Sequence, residues 1–487
     1  MSEVPEQIMS PLRSSLFPIY RHEFRQFFLM SVMIFLTIFS FYLLRGVKDA
    51  LLQSAPDSGA EVFSFLKLYL VLPATMLVMA GYVSLRKRCD LQRAYYIVLS
   101  LFGLFFAFYA LYLYPNCTLL QPDTTYVASL KQMYPAFRWF FAIYQLWVLA
   151  LFYVCSELWG ALVLSVLFWQ LANDNIPTTQ AKRFYPLFIT VGNVAMLCLN
   201  PLMHYIARDE TNDIVQVSWL IVAIAAILCF CVHVAYKHQL LRVEGSSFDE
   251  GSSASRKSLF ESIVFVMRSP YVMYISIMVL SYGVLINVVE AMWRSKVGVL
   301  YVTRSNLLKF NADYTFMTGL ATIAMNYLSK RLISRVGWTT SALITPLVCA
   351  CMGTIFFFFV TRSVSTLPLI ALADSPLKSI VWLGAFVVLL SKGAKYSFFD
   401  PTKEMAFIPL DKELRSNGKV LADGVVERFG KSLGGATISS LIMLTGMDLS
   451  DLAYVLGVIT LVLGIWWLYA VLRLGKLYAR QIAAVPL

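Results

Sequence analysis

The chain has 487 residues, of which 59% are hydrophobic and 14% are charged, and its formal net charge is +12. Soluble proteins carry about 25% charged residues, so this apolar surface is too large to be hidden in a water-soluble core of this size. The composition therefore excludes a soluble enzyme, a disordered protein and a disulfide-stapled secreted domain, and it predicts an all-α polytopic membrane protein.

Twelve apolar stretches are long enough to cross a hydrocarbon core of about 30 Å as helices. They cover 27–50, 63–85, 94–114, 139–169, 184–206, 217–237, 271–292, 312–329, 339–361, 379–399, 421–445 and 452–473. The fourth is longer than a bilayer requires, the eighth is weakly apolar, and the eleventh contains charges. No signal-peptide pattern precedes the first stretch, so we expect that helix to be retained.

Lysine and arginine predominate in every second connecting segment, which predicts cytoplasmic N- and C-termini and an even number of helices. This rule accounts for the basic charge without a nucleic-acid partner. Segment 294–309 breaks the rule, because its basic residues fall on the outer side and add positive charge there.

The polar stretch 239–260 is rich in Ser and Gly and follows the sixth apolar stretch, as a flexible linker would. It divides the chain into an N-terminal six-helix half at 1–238, a cytoplasmic linker at 239–260 and a C-terminal six-helix half at 261–487. Transporters of this layout hold their substrate near the membrane midplane, between the two halves.

Charged residues inside the apolar stretches are the candidates for function. Each costs about 2.5–3.5 kcal/mol at a helix centre, so we expect it to face a wet cavity or a partner. The cations are Arg45, Lys48, Lys67, Lys392, Lys395, Arg428 and Lys431, and the anions are Asp49, Glu157, Glu290, Asp423 and Glu427. Cations exceed anions by two, which predicts a strongly anionic substrate that completes unpaired cations.

The position of these charges supports a cavity site. They fall mainly on the first, fourth, seventh and tenth stretches, which should line the cavity of a two-half transporter. We assign phosphate binding to Arg45, Lys48, Lys392, Lys395, Arg428 and Lys431. We assign coupling or charge balance to Glu157, Glu290, Asp423 and Glu427.

Structural explanations remain open for several of these residues. Arg45 and Lys48 could extend toward lipid headgroups, Glu290 could pair with Arg294 four residues later, and Lys395 could pair with Asp400. Pairing with Asp400 is open for Lys392 as well as for Lys395. Bridges from Arg428 to the acidic residues of its own helix are a further alternative. The GKS sequence at 430–432 is not a P-loop, because that motif requires glycine at position 425 and this chain has Val425.

Several segments resemble the ATP/ADP translocase (nucleotide transporter) family of obligate intracellular bacteria and plastids. They are LLRGVKDALL at 43–52, SGAEVFSFLKLYLVLP at 58–73, FYVCSELWGALVLSVLFWQLAN at 152–173, INVVEAMWRSKV at 286–297, YSFFDPTKEMAFIPLDKE at 396–413 and GVVERFGKSLGG at 424–435. The resemblance implies a major-facilitator-like fold. By position it makes Lys48, Glu157, Glu290 and Lys431 the counterparts of the family's critical residues.

The resemblance also implies a function. It indicates a secondary transporter that imports nucleotides across the bacterial inner membrane by alternating access, either by ATP/ADP exchange or by proton-coupled symport. Exchangers of the family usually have an acidic residue and Thr where this chain has Gly46 and Val47, so the sequence leaves both modes open. The alternative is an exporter of other organic anions or drugs.

The remaining expectations concern chemistry and partners. The four histidines are not spaced as metal ligands, so we predict no enzyme activity, no catalytic residues, no metal and no cofactor. The predicted partners are ATP, ADP and other nucleoside triphosphates, protons as a coupling ion, and membrane lipid. We expect a monomer.

Overall fold

A computed structural model describes residues 18–56, 58–238, 240, 269–362, 375–411, 414, 418, 421–422 and 426–484. In these ranges the chain is helical and contains no strand. The predicted linker at 239–260 lies almost entirely outside the described residues, so the bounds of the two halves remain a prediction.

Twelve long helices, α1 to α12, form the bundle in the described ranges. They are α1 Phe24–Gln53, α2 Ala60–Arg86, α3 Leu91–Leu113, α4 Trp147–Asn175, α5 Thr178–Ile206, α6 Asp213–Lys237, α7 Pro270–Leu300, α8 304–336, α9 338–361, α10 Pro376–Phe407, α11 Glu427–Thr445 and α12 Ala453–Ala484. Short helices Cys117–Leu120, Thr124–Met133 and Arg138–Gln145 connect α3 to α4.

Ten candidate spans in the described ranges are long and apolar enough to cross a membrane. The helices α8 and α11 are not among them as whole helices, although Ser432–Thr445 within α11 is apolar. They correspond to the eighth predicted stretch, which is weakly apolar, and the eleventh, which contains charges. Helices α8 and α9 follow one another directly and are separated by a kink at Gly337. The φ of Gly337 is 79°, a value that glycine adopts readily and other residues rarely do.

The fourth predicted stretch is too long because it joins two helices. Arg138–Gln145 ends at Leu146, whose backbone is not helical (φ −99°, ψ 29°), and α4 begins at Trp147. Both helices are apolar, so hydropathy alone does not show the break. Helix α7 differs in the opposite way, since it continues to Leu300 rather than ending near 292.

The helices pack first within each half of the bundle and then across it. In the first half α1 contacts α4, α5 and α6, and α3 contacts α6. In the second, α7 contacts α10, α11 and α12. Contacts between the halves join α5 and α1 to α8, and α2 to α7 and α11, which places α1 and α7 beside the central space.

Two buried indoles on these helices donate hydrogen bonds within the bundle. The indole of Trp159 on α4 is fully buried and donates to Ser40 Oγ on α1 at 3.0 Å. The indole of Trp293 on α7 donates to the Val381 carbonyl on α10 at 2.9 Å. These bonds fix α4 and α10 against the two central helices.

Four described helices contain a wider π-helical turn, at 67–71, 109–113, 160–168 and 395–399. Such turns are rare in helices and are frequent at functional sites. Two of them begin at Lys67 and Lys395, and a third begins three residues after Glu157. Three of the four therefore lie beside charged residues of the central space.

Candidate functional site

Charged side chains from α1, α2, α4, α7 and α10 meet between the two halves of the bundle. We call this group the central charge cluster, and its members are Arg45, Lys48, Asp49, Lys67, Glu157, Glu290, Arg294 and Lys392. Six of the eight lie on the four helices predicted to line the cavity and were singled out from the sequence as charges in apolar stretches. Lys67 was noted on the second stretch, and Arg294 was assigned to an outer loop.

Lys48 is held by two carboxylates at once. Its Nζ lies 2.8 Å from Asp49 Oδ1 and 2.8 Å from Glu157 Oε1, and 3.8 Å from the centre of the Tyr153 ring. Only 5% of the Lys48 side chain is exposed. The alternative that Lys48 extends toward lipid headgroups is therefore wrong.

Glu290 gathers three cations on one carboxylate oxygen. Its Oε1 lies 3.0 Å from Arg45 Nη2, 3.1 Å from Arg294 Nη2 and 3.1 Å from Lys392 Nζ. Two of these cations, Arg294 and Lys392, belong to the same half as Glu290, whereas Arg45 comes from the other half. One oxygen can accept these donors, but its single negative charge cannot neutralise all three.

Arg294 bridges α7 to the end of α1. Its Nη1 lies 2.6 Å from Asp49 Oδ2, and its carbonyl oxygen accepts a hydrogen bond from Gln53. The pair with Glu290 four residues earlier does form, but it is one part of a larger network. Sequence analysis missed this role because it ended α7 too early; the four-residue spacing from Glu290 was the available signal.

The cluster carries more positive than negative charge. Five cations (Arg45, Lys48, Lys67, Arg294 and Lys392) are arranged around three carboxylates (Asp49, Glu157 and Glu290). Lys67 is partly buried and has no ion pair within the described residues, although it lies within electrostatic range of Glu290 and Glu157.

The expectation that the cations stay unpaired is wrong for Arg45, Lys48, Lys392 and Lys395. Each has a carboxylate within ion-pairing distance, because leaving a charge unpaired in a low dielectric is costly. The surplus of two positive charges instead arises because several cations share one carboxylate. The five cations of the cluster surround only three carboxylates.

Lys395 belongs to a separate pair. Its Nζ lies 3.1 Å from Asp400 Oδ2 and 4.7 Å from the centre of the Tyr396 ring. The π-helical turn 395–399 lies between the two residues, and it is wider than an α-helical turn because its hydrogen bonds join residues five apart. Lys392 and Lys395 therefore take different partners, and the predicted pairing of Lys395 with Asp400 is the arrangement observed.

The eleventh helix supplies the remaining predicted residues. Glu427 is the first residue of α11 and lies within electrostatic range of Lys395. Asp423 and the side chains of Arg428 and Lys431 lie outside the described residues. Their phosphate-binding and charge-balance assignments therefore stay predictions.

Two members of the cluster are accessible. The side chains of Arg45 and Glu157 are 32% and 31% exposed, whereas those of Asp49, Glu290 and Arg294 are 13% exposed or less. Arg45 is therefore the most exposed of the paired cations in the cluster. Arginine presents a planar fork that binds the oxygens of a phosphate in pairs.

One end of the bundle is held shut by contacts between the halves. We call it the closed end, the end at which α1 finishes. Arg304 Nε lies 2.8 Å from the buried Asp213 Oδ2, Arg138 pairs with Asp448, and Glu61 Oε1 accepts the Leu449 amide at 3.1 Å. These contacts join the two halves between this end and the central charge cluster.

The basic segment 294–309 contributes to this closure. The expectation that it adds positive charge on the outer side is wrong for Arg294 and Arg304, which have carboxylate partners, whereas Lys296 is bound by a neutral hydroxyl. Arg294 enters the central charge cluster, Lys296 Nζ lies 3.0 Å from Ser450 Oγ, and Arg304 binds Asp213 and the Tyr114 hydroxyl. The departure from the positive-inside rule thus has a structural cause.

Comparison with known proteins identifies relatives along nearly the whole chain. The sequence pattern of the TLC ATP/ADP transporter family matches residues 2–478. A protein of Rickettsia bellii named ADP,ATP carrier protein 1 is 36% identical over 97% of both chains. A protein of the same name from Chlamydia trachomatis is 34% identical and covers 99% of this chain and 94% of its own length.

Solved structures of other transporters share the fold. A mutant of the nucleoside transporter NupG superimposes with a TM-score of 0.59 at 10% identity, covering 91% of this chain and 99% of that one. A D-xylose-proton symporter gives a TM-score of 0.58 at 13% identity, with coverage of 91% and 97%. The predicted two-half, major-facilitator-like arrangement of helices is confirmed.

Proposed function

The chain belongs to the TLC ATP/ADP transporter family, and we propose that it is a secondary transporter that moves nucleotides across a membrane by alternating access. The names of the relatives support ATP and ADP as the substrates, and the fold is that of secondary transporters. An exporter of other organic anions or drugs has no such support.

The observation that carries this proposal is the triple pairing at Glu290. Arg45, Arg294 and Lys392 converge on a single carboxylate oxygen, which is the geometry that several oxygens of a polyphosphate could take over. In the empty protein Glu290 limits the cost of burying these cations. When a nucleotide arrives, its phosphates replace part of that pairing and use the surplus positive charge.

The same arrangement explains how a substrate could also leave. A site of unpaired cations would hold a triphosphate too tightly for rapid release. Carboxylates that return to Lys48 and Arg45 as the phosphates depart compete with the substrate, so binding and release stay balanced. This assigns phosphate binding to Arg45, Lys48 and Lys392, and charge balance to Glu157 and Glu290.

The proposal also includes the orientation of the protein in the membrane and its mode of transport. We place both termini in the cytoplasm and the closed end outside, in a bacterial inner membrane, on the distribution of Lys and Arg. We propose that a monomer exchanges ATP for ADP or takes up a nucleoside triphosphate with a proton. The two halves at 1–238 and 261–487 would rock around the site.

Uptake by purified protein in liposomes tests the proposal. Labelled ATP should accumulate when ADP is loaded inside, if the mode is exchange, or when an inward proton gradient is imposed, if it is symport. If labelled ATP accumulates neither with internal ADP nor with an inward proton gradient, the proposal that the protein transports ATP is wrong.

A matched pair of lysine variants tests the site. Lys392→Ala should lower uptake at least tenfold, whereas Lys476→Ala, which removes an exposed lysine on α12, should leave it unchanged. Full uptake by the Lys392→Ala protein would place phosphate binding elsewhere.

A further inference from the structure

A histidine and an aspartate meet where α5 of the first half contacts α8 of the second. His204 Nε2 lies 3.5 Å from Asp313 Oδ1, and the amide of Asn200, one turn before His204, donates to the same oxygen at 2.9 Å. The pair is separate from the central charge cluster and has no part in the proposed binding of phosphates.

This pair differs in chemistry from the other ion pairs described between the halves. Those four pairs use an arginine: Arg45–Glu290, Arg138–Asp448, Arg294–Asp49 and Arg304–Asp213. Arginine keeps its proton at any physiological pH. Histidine is the side chain whose charge ordinarily changes between pH 5 and 8, so the strength of this link depends on a proton carried by its basic partner.

The surroundings suit a charged carboxylate. The amide of Asn200 donates to Asp313, and the buried Nδ1 of His204 has no hydrogen-bond partner among the described residues. The side chains are 38% and 44% exposed, so protons can reach them without a further opening.

Other charged and titratable groups lie near the pair on the helices that pack around it. Arg208 and Tyr205 follow His204 on α5, and Lys309 and Tyr314 flank Asp313 on α8. Tyr301, at the end of α7, lies within electrostatic range of Asp313 and of Lys378 on α10. Helix α1 presents Gly46 to this contact, and its neighbouring Arg45 is paired with Glu290.

We propose that His204 and Asp313 form a proton-binding site whose occupancy holds the closed end of the bundle together. With the proton bound, an imidazolium and a carboxylate attract each other across the two halves. Without it, a neutral imidazole faces the carboxylate, and the attraction between opposite charges is lost. The closed arrangement is therefore favoured at low pH, and the preference is lost as the pH rises and the imidazole gives up its proton.

The site goes beyond the proposed nucleotide transport, because it concerns a second ligand, the proton, at a second place. Binding of the proton and closure of this end are reciprocal: each favours the other by the same factor. If the transporter carries a proton with its nucleotide, this pair is where the proton would be carried. If it exchanges nucleotides, the pair sets the pH dependence of opening.

The test measures the distance across the closed end as a function of pH. Nitroxide labels are attached at Met133→Cys and Met447→Cys, two exposed positions of opposite halves near the Arg138–Asp448 pair, in a background without native cysteines. Double electron–electron resonance in lipid nanodiscs then gives the ratio of short to long distances between pH 5.5 and pH 8. No nucleotide is needed, so this result is independent of the uptake test.

The expected result is a ratio that falls about two- to fivefold as the pH rises, as the energy of a partly exposed ion pair allows. His204→Gln and Asp313→Asn should each remove this dependence, and His233→Gln, which changes an exposed histidine of α6, should keep it. An intact pH dependence in either of the first two variants would overturn the proposal, as would its absence in the unsubstituted protein.

Discussion

At the scale of single residues, the position of Lys48 combines a structural and a functional demand. Two carboxylates, Asp49 and Glu157, lie at equal distances of 2.8 Å from its ammonium group. The ion triad is nearly closed to solvent on the lysine side, but Glu157 keeps an exposed edge. A phosphate could therefore displace Glu157 and leave Asp49 in place.

Replacing Lys48 should separate these two demands. Lys48→Met keeps the length of the side chain but leaves the buried Asp49 with Arg294 alone and the partly exposed Glu157 without a cation, which should cost about 1–3 kcal/mol of stability. Adding Glu157→Gln removes one of these charges and should restore part of the melting temperature. Binding of labelled ATP should stay lost in both proteins, because the ammonium group is missing.

One result would contradict a role of Lys48 in binding ATP. If the double variant recovers ATP binding together with stability, Lys48 serves only to hold α1 against α4. Lys476→Met, at an exposed position on α12, provides the control for a lysine removed without burial of charge.

Glu290 should act in the opposite direction. Glu290→Gln removes the negative charge that Arg45, Arg294 and Lys392 share, so the phosphates no longer compete with it. We expect tighter nucleotide binding and slower release, seen as a fall in both KM and kcat of uptake. Asp90→Asn, which breaks an exposed pair with Arg93, should change neither constant. A rise in KM would show that Glu290 orients the cations rather than competing with substrate.

At the scale of helices, the sequence predicts which elements carry the charges but not which side chains meet. Charges inside apolar stretches are costly wherever they occur, so their presence in α1, α4, α7 and α10 can be recognised from composition. The convergence of three cations on Glu290 depends on how α1 and α10 approach α7. No local pattern contains that information.

Helix ends and helix type account for the remaining differences. Arg294 was placed in a loop because apolarity ends near 292, whereas the helix continues through polar residues that find partners inside the protein. Lys392 and Lys395 are three apart and should share a face of an α-helix. They nevertheless take different partners, because the π-helical turn that begins at Lys395 is followed by Asp400, which pairs with Lys395. Nothing in the apolar pattern predicts that turn.

Gly46 is the position at which α1 approaches α5 and α8 most closely. A Cβ there would overlap the methyl group of Met203 and lie 3.8 Å from Asn311 Cβ, and Asn311 donates to the Gly46 carbonyl at 3.0 Å. The departure from the family's usual residues at this point therefore has a packing explanation. Glycine lets three helices from both halves meet.

Gly46→Ala should consequently destabilise the protein by about 1–3 kcal/mol through overpacking. The clash is with the flexible end of Met203, so a second change, Met203→Ala, should recover part of the loss. Thermal unfolding in detergent measures both.

Gly81→Ala is the matched control. Gly81 also lies inside a helix, α2, but a Cβ there meets nothing within 4 Å, so alanine should be neutral or slightly stabilising. Equal destabilisation by Gly46→Ala and Gly81→Ala would mean that the close approach of α1 has no energetic weight.

At the scale of the whole molecule, the contacts at the closed end and the central charge cluster belong to one cycle. Asp213 is fully buried and is reached by Arg304 from the other half. Around this pair, Ser305 donates from its hydroxyl to the Ala207 carbonyl at 2.6 Å and from its amide to Glu210 Oε1 at 3.0 Å. Alternating access requires this whole set of contacts to break each time the closed end opens.

Arg304→Gln should therefore shift the protein toward opening at this end. The substitution removes the cation that compensates Asp213, and opening would return that carboxylate to water, so the closed arrangement alone is penalised, by about 3–5 kcal/mol. The distance between labels at Met133→Cys and Met447→Cys should lengthen at neutral pH without nucleotide. Adding Asp213→Asn should restore the short distance, because no buried charge is then left without a partner.

Arg93→Gln, which breaks an exposed pair worth about 0–1 kcal/mol, should leave the distances unchanged. If Arg304→Gln keeps the short distance, the closed end is held by its apolar and backbone contacts, and opening is controlled elsewhere in the bundle.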